Sequence, residues 1–197
     1  PGIAAPSPQP DISFREFIPG AWRMVEGSRP FVPGWHIDAI AEHAEALMRG
    51  EILRLLVNVP PRHMKSLLLS VMLPAWAWTW MPESRWLSAS YALKLAIRDT
   101  VKSRRIIQSP WYQSQWGHRF AMTSDQNEKS RYENDRTGHR IATSVDAAVT
   151  GEGGDYITVD DPHNVRDALS ETKRGAAIDW WDQSMSTRLN DQKTGRI

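Results

Sequence analysis

Two short stretches carry residue types able to do phosphate chemistry. One is Val59-Pro60-Pro61-Arg62-His63-Met64-Lys65-Ser66, and the other is Tyr156-Ile157-Thr158-Val159-Asp160-Asp161. The first is a turn between a short apolar run and a longer one. Free backbone N–H groups at a helix start favour an anion, and a lysine there adds a point charge on the outer phosphates. Lys65 suits that role, and the Ser66 hydroxyl suits Mg²⁺ ligation. The spacing departs from the common glycine-rich pattern, with Met64 directly before the lysine and Val59 five residues earlier, where glycines are usual. The segment therefore also reads as a plain strand–turn–helix with an exposed lysine. In the second stretch, largely apolar strand residues run into two carboxylates. Asp160 would hold the Mg²⁺ shell, and Asp161 would orient or deprotonate an attacking water. A strand ending in acids is also a common loop start. The conjunction favours chemistry: the basic turn comes first, the acidic strand end later, and strands alternate with helices between them.

Those elements follow from periodicity. Residues 14–26 read as a first helix, and 36–49 as a second, with Ile37, Ile40, Ala41, Ala44 and Leu47-Met48 at helical spacing and Gly50 after the last turn. Residues 52–59 form an almost continuous apolar run before a double proline, which predicts a buried parallel strand. An apolar helix is predicted over 66–80, a strand over 85–90, and an amphipathic helix over 92–108, stopped by Ser109-Pro110. Residues 129–133 and 140–145 flank Asn134-Asp135-Arg136-Thr137-Gly138 and predict a β-hairpin. Residues 156–159 predict another buried strand. A last helix spans 170–189, with Ile178, Trp181, Met185 and Leu189 on one face. Residues 1–12, rich in Pro, Ala and Ser, read as a tail or linker, which leaves 13–197 as one α/β domain with a mainly parallel sheet.

Together these motifs resemble the large terminase subunits of tailed bacteriophages, in the branch whose phosphate loop reads Pro-Pro-Arg-His-(Gly or Met)-Lys-Ser. Gly34-Trp35-His36 is similar to the family's adenine-side motif. Ser88-Ala89-Ser90-Tyr91, Ser109-Pro110-Trp111-Tyr112, the Gly-rich lead-in Thr150-Gly151-Glu152-Gly153-Gly154-Asp155, Asp161-Pro162 and Ser186-Thr187-Arg188-Leu189 also resemble it. The resemblance runs from about Phe14 onward. It implies a RecA-like, additional-strand P-loop ATPase fold, a three-layer sandwich that binds ATP and Mg²⁺ and drives double-stranded DNA into a procapsid. It places Pro61, Arg62, His63, Met64, Lys65, Ser66, Leu67, Trp35 and His36 around the nucleotide, with Arg62, Lys65 and Asp161 catalytic and Ser66 and Asp160 on Mg²⁺. The implied partners are the portal, a small terminase subunit and further copies of the chain in a ring, and the implied location is the host cytoplasm. In the family a coupling motif and a nuclease domain lie beyond the position of Ile197. The chain thus reads as a fragment truncated at the C-terminus, with its autonomous activity in doubt. A helicase-like P-loop ATPase, and a degenerate nucleotide-binding or oligomerisation module, are the rival readings.

Lys94, Arg98, Lys102 and Arg105 share one helical face. Such a face is ordinarily solvated, but Arg98, Lys102, Arg104 and Arg105 are candidates for DNA phosphates or for an arginine finger reaching a neighbouring subunit. His118, His139 and His163 read as surface residues, and the histidine spacing fits no zinc site. Trp76-Ala77-Trp78-Thr79-Trp80 reads as core or interface, and of Trp180 and Trp181 one is expected buried and the other partly exposed. The near balance of 24 basic and 23 acidic residues means that any DNA contact must come from a local patch. The absence of cysteine excludes disulfides and thiolate chemistry. The longest apolar stretch, 67–80, is short for a bilayer and is broken by Pro74, so no membrane contact is expected.

Overall fold

A computed structural model describes residues 9–147 and 151–197; residues 1–8 of the expected tail and Thr150 of the Gly-rich lead-in lie outside these. Helix α1 (Phe14–Glu26) starts at a capping box, in which Ser13 and Glu16 satisfy each other's backbone amides. Its buried residues Phe14, Phe17, Ile18 and Ala21 form one stripe against α2 (Trp35–Arg49), whose buried face is the predicted one. Two residues of the expected tail are tied down: Ile12 accepts a hydrogen bond from Trp76 Nε1 at 3.0 Å, and Asp11 pairs with Arg119.

The helix expected over 66–80 forms, but in sections. It opens at Lys65-Ser66, widens into a π-helical stretch at Leu67–Met72 and tightens into α3 (Leu73–Ala77). Pro74 supplies the reason. A proline has no N–H to give to the carbonyl four residues back, and its ring crowds that carbonyl. The carbonyl in question belongs to Ser70, and it is taken instead by the buried guanidinium of Arg140. The expected tryptophan cluster is core: Trp76, Trp78 and Trp80 are all buried, with Trp76 against Phe14 and Trp78 between Phe120 and Tyr132.

Five strands form one sheet in the order β2 (Met122–Asn127), β3 (Arg131–Asn134), β4 (His139–Ser144), β1 (Trp86–Ser90), β5 (Tyr156–Asp160). The centre is parallel, with β1 between β4 and β5, while β2, β3 and β4 make antiparallel pairs at one edge. The predicted β-hairpin is the β3–β4 pair. Side chains alternate between two cores. Trp86 stacks on Tyr156 at 4.4 Å on the face covered by α1, α2, the π-helical stretch and α4 (Leu93–Ile107). Leu87, Ala89 and Ile157 point to the other face, covered by Trp180, Met185 and Leu189. Helices on both faces of a mostly parallel sheet make this an α/β fold. Helix α5 (Pro110–Trp116) is N-capped by Ser109 and packs Tyr112 and Trp116 into the first core.

Two predictions need correction. Residues 52–59 are not a buried strand. Ile52 N–H reaches back to Ala46 O at 3.5 Å, and Leu53 and Leu55 meet another extended segment, through Ile197 N–H to Leu53 O (3.0 Å) and Leu55 N–H to Ile197 O (2.8 Å). Without a partner on either side, Leu56 is 94% exposed. The last helical region is also not one regular helix. It runs as α6 (Glu171–Trp180), a π-helical turn at Trp181–Met185 and a 3₁₀ turn at Ser186–Arg188. The wider π-turn shifts the phase by one residue. The buried face is therefore Ala177, Trp180, Met185 and Leu189, and Ile178 is 59% exposed. Trp180 is buried and Trp181 partly so, as adjacent helical positions require. Among the described residues no helix is long and apolar enough to cross a membrane.

Candidate functional site

The loop ahead of the interrupted helix has an unusual backbone. Arg62 and Met64 both lie in the left-handed region, with φ 67° and φ 65°. Side-chained residues avoid it, at a cost of roughly 1–2 kcal/mol each. Met64 therefore holds a left-handed conformation of the kind for which glycine is normally chosen. Alternation of left-handed and ordinary residues is how successive N–H groups are made to converge on an anion. Among the described residues, the amides of residues 62–66 take no backbone acceptor, and the first closing bond runs from Leu68 N–H to Met64 O at 2.8 Å. His63 helps to hold the turn, with Nδ1 3.1 Å and 3.0 Å from the carbonyls of Pro60 and Pro61. Ser66 stands in the first helical turn, its hydroxyl capping nothing.

The acidic strand end faces this loop. Lys65 Nζ lies 3.2 Å from Asp160 and 2.5 Å from Asp161. Burial pulls the Lys65 ammonium down, but hydrogen bonding and attraction from Asp161 and Asp160 outweigh it, and the net shift is upward. Asp160 closes β5 in register with Ser90 of β1. Asp161, one residue on, has φ 45°, and its carbonyl is held by the Tyr91 amide at 3.0 Å. Strand pairing thus positions Asp160, while the turn after β1 positions Asp161. The two differ in setting: the Asp160 side chain is 13% exposed and that of Asp161 59%. The mostly buried Asp160 carboxylate and the Ser66 hydroxyl, which caps nothing, are the groups here whose chemistry suits one edge of a Mg²⁺ shell, whose remaining positions are ordinarily water and substrate phosphate. Among the described residues no group of three or more His, Asp or Glu side chains converges as an all-protein metal cage.

The residues expected on the adenine side also meet the loop. His36, in the first turn of α2, packs its ring 5.4 Å from that of His63, and Trp35 packs edge-on to His36 at 6.2 Å. Trp35 is 82% exposed. Pro61 and Arg62 are exposed as well, while Leu67 opens the π-helical stretch and packs towards the first core.

The basic face of α4 divides. Lys102 is paired to Glu26 at 2.9 Å, and Arg104 donates to the Asn127 and Glu128 carbonyls, so these two hold the fold together. Arg98 and Arg105 are exposed, with Arg98 braced against Asp99 at 2.8 Å. Hydrogen bonding to Asp99 is the main cause of the upward shift of Arg98, and Asp160 adds to it.

Two histidines depart from expectation. His139 is half-buried, within 3.1 Å of the Gly153 carbonyl, and His163 is half-buried too; only His118 is fully at the surface. Sequence reasoning missed Arg140 altogether. It is fully buried, reaching Thr100 Oγ1 at 3.2 Å as well as the Ser70 carbonyl. Burial pushes its guanidinium down from its ordinary value. One basic residue in a strand gives no such signal; Pro74, which leaves the Ser70 carbonyl without a helical donor, was the available hint. The Gly-rich lead-in turns at Gly151, with φ 82°, and Asp155 is spent on structure, accepting from Arg85 N–H and Asn190 Nδ2. Compared with known proteins, the chain matches no family model and no curated protein.

Proposed function

We propose that this chain is a Mg²⁺-dependent, ATP-binding and ATP-hydrolysing domain of the RecA-like, additional-strand P-loop class, serving a large terminase that drives double-stranded viral DNA into a procapsid. The observation that carries the nucleotide reading is the meeting of Lys65 with Asp160 and Asp161 beneath a loop whose amides are uncommitted. Lys65 and the loop amides would bind the phosphates, and Arg62 would stabilise charge on the transferred group. Ser66 and Asp160 would hold Mg²⁺, which when bound supplies charge neutralisation on the phosphates. Asp161 would orient the attacking water and take its proton. Trp35, His36 and His63 would face the base. An arginine from a neighbouring copy would complete the site, and the exposed Arg98 and Arg105 are better placed for this than Arg104. The terminase assignment rests on the motif resemblance. From it follow the portal, the small terminase subunit, the ring and the host cytoplasm as partners and place.

A second reading, nucleotide binding without turnover, draws on the segment 55–59, which leads into the loop without a strand's support. One experiment separates them: Mg²⁺-dependent ATP hydrolysis titrated over protein concentration, with Lys65→Ala in parallel. Turnover rising steeply with concentration and lost in Lys65→Ala supports the motor domain. Binding without turnover supports the second reading, and unchanged turnover in Lys65→Ala sinks both.

A further inference from the structure

The helix that follows the phosphate loop is anchored at its C-terminal end. Trp76 of α3 and the adjoining Trp78 lie in the first core, and the Ala75 carbonyl accepts from Tyr112 Oη at 3.0 Å. Ahead of α3, the Leu73 amide reaches back five residues to Leu68 O, which is the π-helical register. Each residue of an α-helix turns the chain by about 100° and advances it by about 1.5 Å. The extra residue in the π-turn therefore sets the direction of what precedes it, Lys65 and Ser66 included. In an uninterrupted α-helix these residues would move about 100° around the axis, and the place of Lys65 would pass to Ser66. The core does not choose between the two registers. Leu67, Leu68 and Leu69 are consecutive, so the fully buried place of Leu68 would pass to another leucine, Leu69. What separates the registers is the Ser70 carbonyl. In the α register it needs an N–H at residue 74, and Pro74 has none. Arg140 supplies a donor from β4, braced through Nε on Thr100 Oγ1 at 3.2 Å. Burying a guanidinium is costly, and its Nη1 finds no partner among the described residues. Among these residues, the Ser70 carbonyl is the one backbone group that the Arg140 side chain satisfies.

We propose that Arg140 is a positioning residue of the phosphate loop: together with Pro74 it holds the π-helical register that aims Lys65 at Asp160 and Asp161. Lys65 Nζ meets these carboxylates at 3.2 Å and 2.5 Å in that register. Arg140 touches no reacting atom. It acts through Ser70, about one helical turn beyond Ser66. The consequence for phosphate rests on the nucleotide reading above; the consequence for register does not. Pro74→Ala separates support from positioning. It returns a helical amide to the Ser70 carbonyl, so that Arg140 is no longer needed for stability, and it frees the helix to take the α register. In an Arg140→Met background, stability and phosphate binding should therefore part company.

The test compares the whole chain with Arg140→Met and with Arg140→Met/Pro74→Ala. Arg140→Met leaves a buried carbonyl unpaired, and its Tm is expected to fall by about 2–10 °C. The double variant is expected to regain most of that fall. Its Kd for Mg-ATP is nevertheless expected to stay weakened roughly tenfold or more, as loss of one charge-assisted hydrogen bond from Lys65 requires. Register is read without nucleotide, from the trans-hydrogen-bond NMR coupling of the Leu73 amide in isotope-labelled chain. The coupled carbonyl should be Leu68 in the parent and Leu69 in the double variant. Affinity that recovers together with stability would make Arg140 a structural support only and overturn the proposal. So would a double variant that regains no stability, or one whose Leu73 amide still couples to Leu68. Should Arg140→Met fail to fold, the double variant set against the parent carries the same comparison. A parent chain that binds no Mg-ATP would sink the nucleotide reading, while the coupling still decides the register.

Discussion

Asp161→Asn separates the two roles that the site assigns to this carboxylate. Asn keeps the shape of Asp and tolerates the left-handed region equally well, so the φ 45° backbone is undisturbed. What is lost is one of the two carboxylates on Lys65. Because Asp161 is 59% exposed at its side chain, solvent screens the pair, and the loss of stability is expected to be about 0.2–1 kcal/mol. Asp160, 3.2 Å away and mostly buried, keeps Lys65 paired. In the nucleotide-free protein Asp161 competes with phosphate for the same ammonium. Removing it returns that energy to ligand binding, which is a tightening of roughly 1.4- to 5-fold in Kd for Mg-ATP. Loss of the group that handles the attacking water should lower turnover by about 10²- to 10⁴-fold. The assay is therefore threefold: urea unfolding, equilibrium titration with a fluorescent ATP analogue, and phosphate release. Affinity that weakens tenfold or more would show that Asp161 helps to hold the nucleotide rather than competing with it. Turnover within a few-fold of the parent would remove it from the chemistry.

Met64→Gly should relieve about 1–2 kcal/mol of left-handed strain, offset by about 0.5–1 kcal/mol of glycine backbone entropy and by loss of the Met64 contact with the core. Urea unfolding should show stability within about 1 kcal/mol of the parent, with ATP binding retained; a fall of affinity to background would mean that the loop shape depends on the methionine. Gly138→Ala would place a Cβ 1.9 Å from the Pro82 carbonyl oxygen, a backbone atom that cannot step aside. A destabilisation of about 1–3 kcal/mol is expected, without change in ATP affinity, and a neutral outcome in thermal melts refutes the packing described at the hairpin. His139 is held below the ordinary imidazole value of 6.5, chiefly by burial, so the unfolded chain takes up the proton first. Stability should be full above pH 6.5 and decline as pH falls below it. Chemical unfolding compared between about pH 7.5 and about pH 5 should show a smaller decline in His139→Gln, and equal declines refute the assignment.

Much of the candidate site was legible in the sequence because phosphate chemistry uses local signals. A basic turn before a helix and a strand ending in acids can each be read within a few residues. Both stand where expected, and Trp35-His36 joins them through His63. Most helix and strand positions were legible for the same reason: Phe14, Phe17, Ile18 and Ala21, or Trp86 to Ser90, carry their period in the sequence. Local pattern could not report where periodicity breaks. The π-turns at Leu67–Met72 and Trp181–Met185 each add a residue to the turn, and the second moved burial from Ile178 to Trp180.

Composition and order of residues thus specified which groups could act and which elements would carry them. The tertiary structure decided what those groups face. The apolar run 52–59 has the content of a buried strand, but burial needs extended neighbours on both sides, and Leu53 and Leu55 meet one on a single side, at Ile197. Lys65 could have been a solvated lysine; parallel pairing of β1 with β5 carries Asp160 and Asp161 to it. Arg140 could have been a surface charge, but Pro74 leaves the Ser70 carbonyl without a donor, and a buried guanidinium on the neighbouring sheet supplies one. These are non-local pairings. They depend on the register of distant segments, which no short stretch of chain encodes.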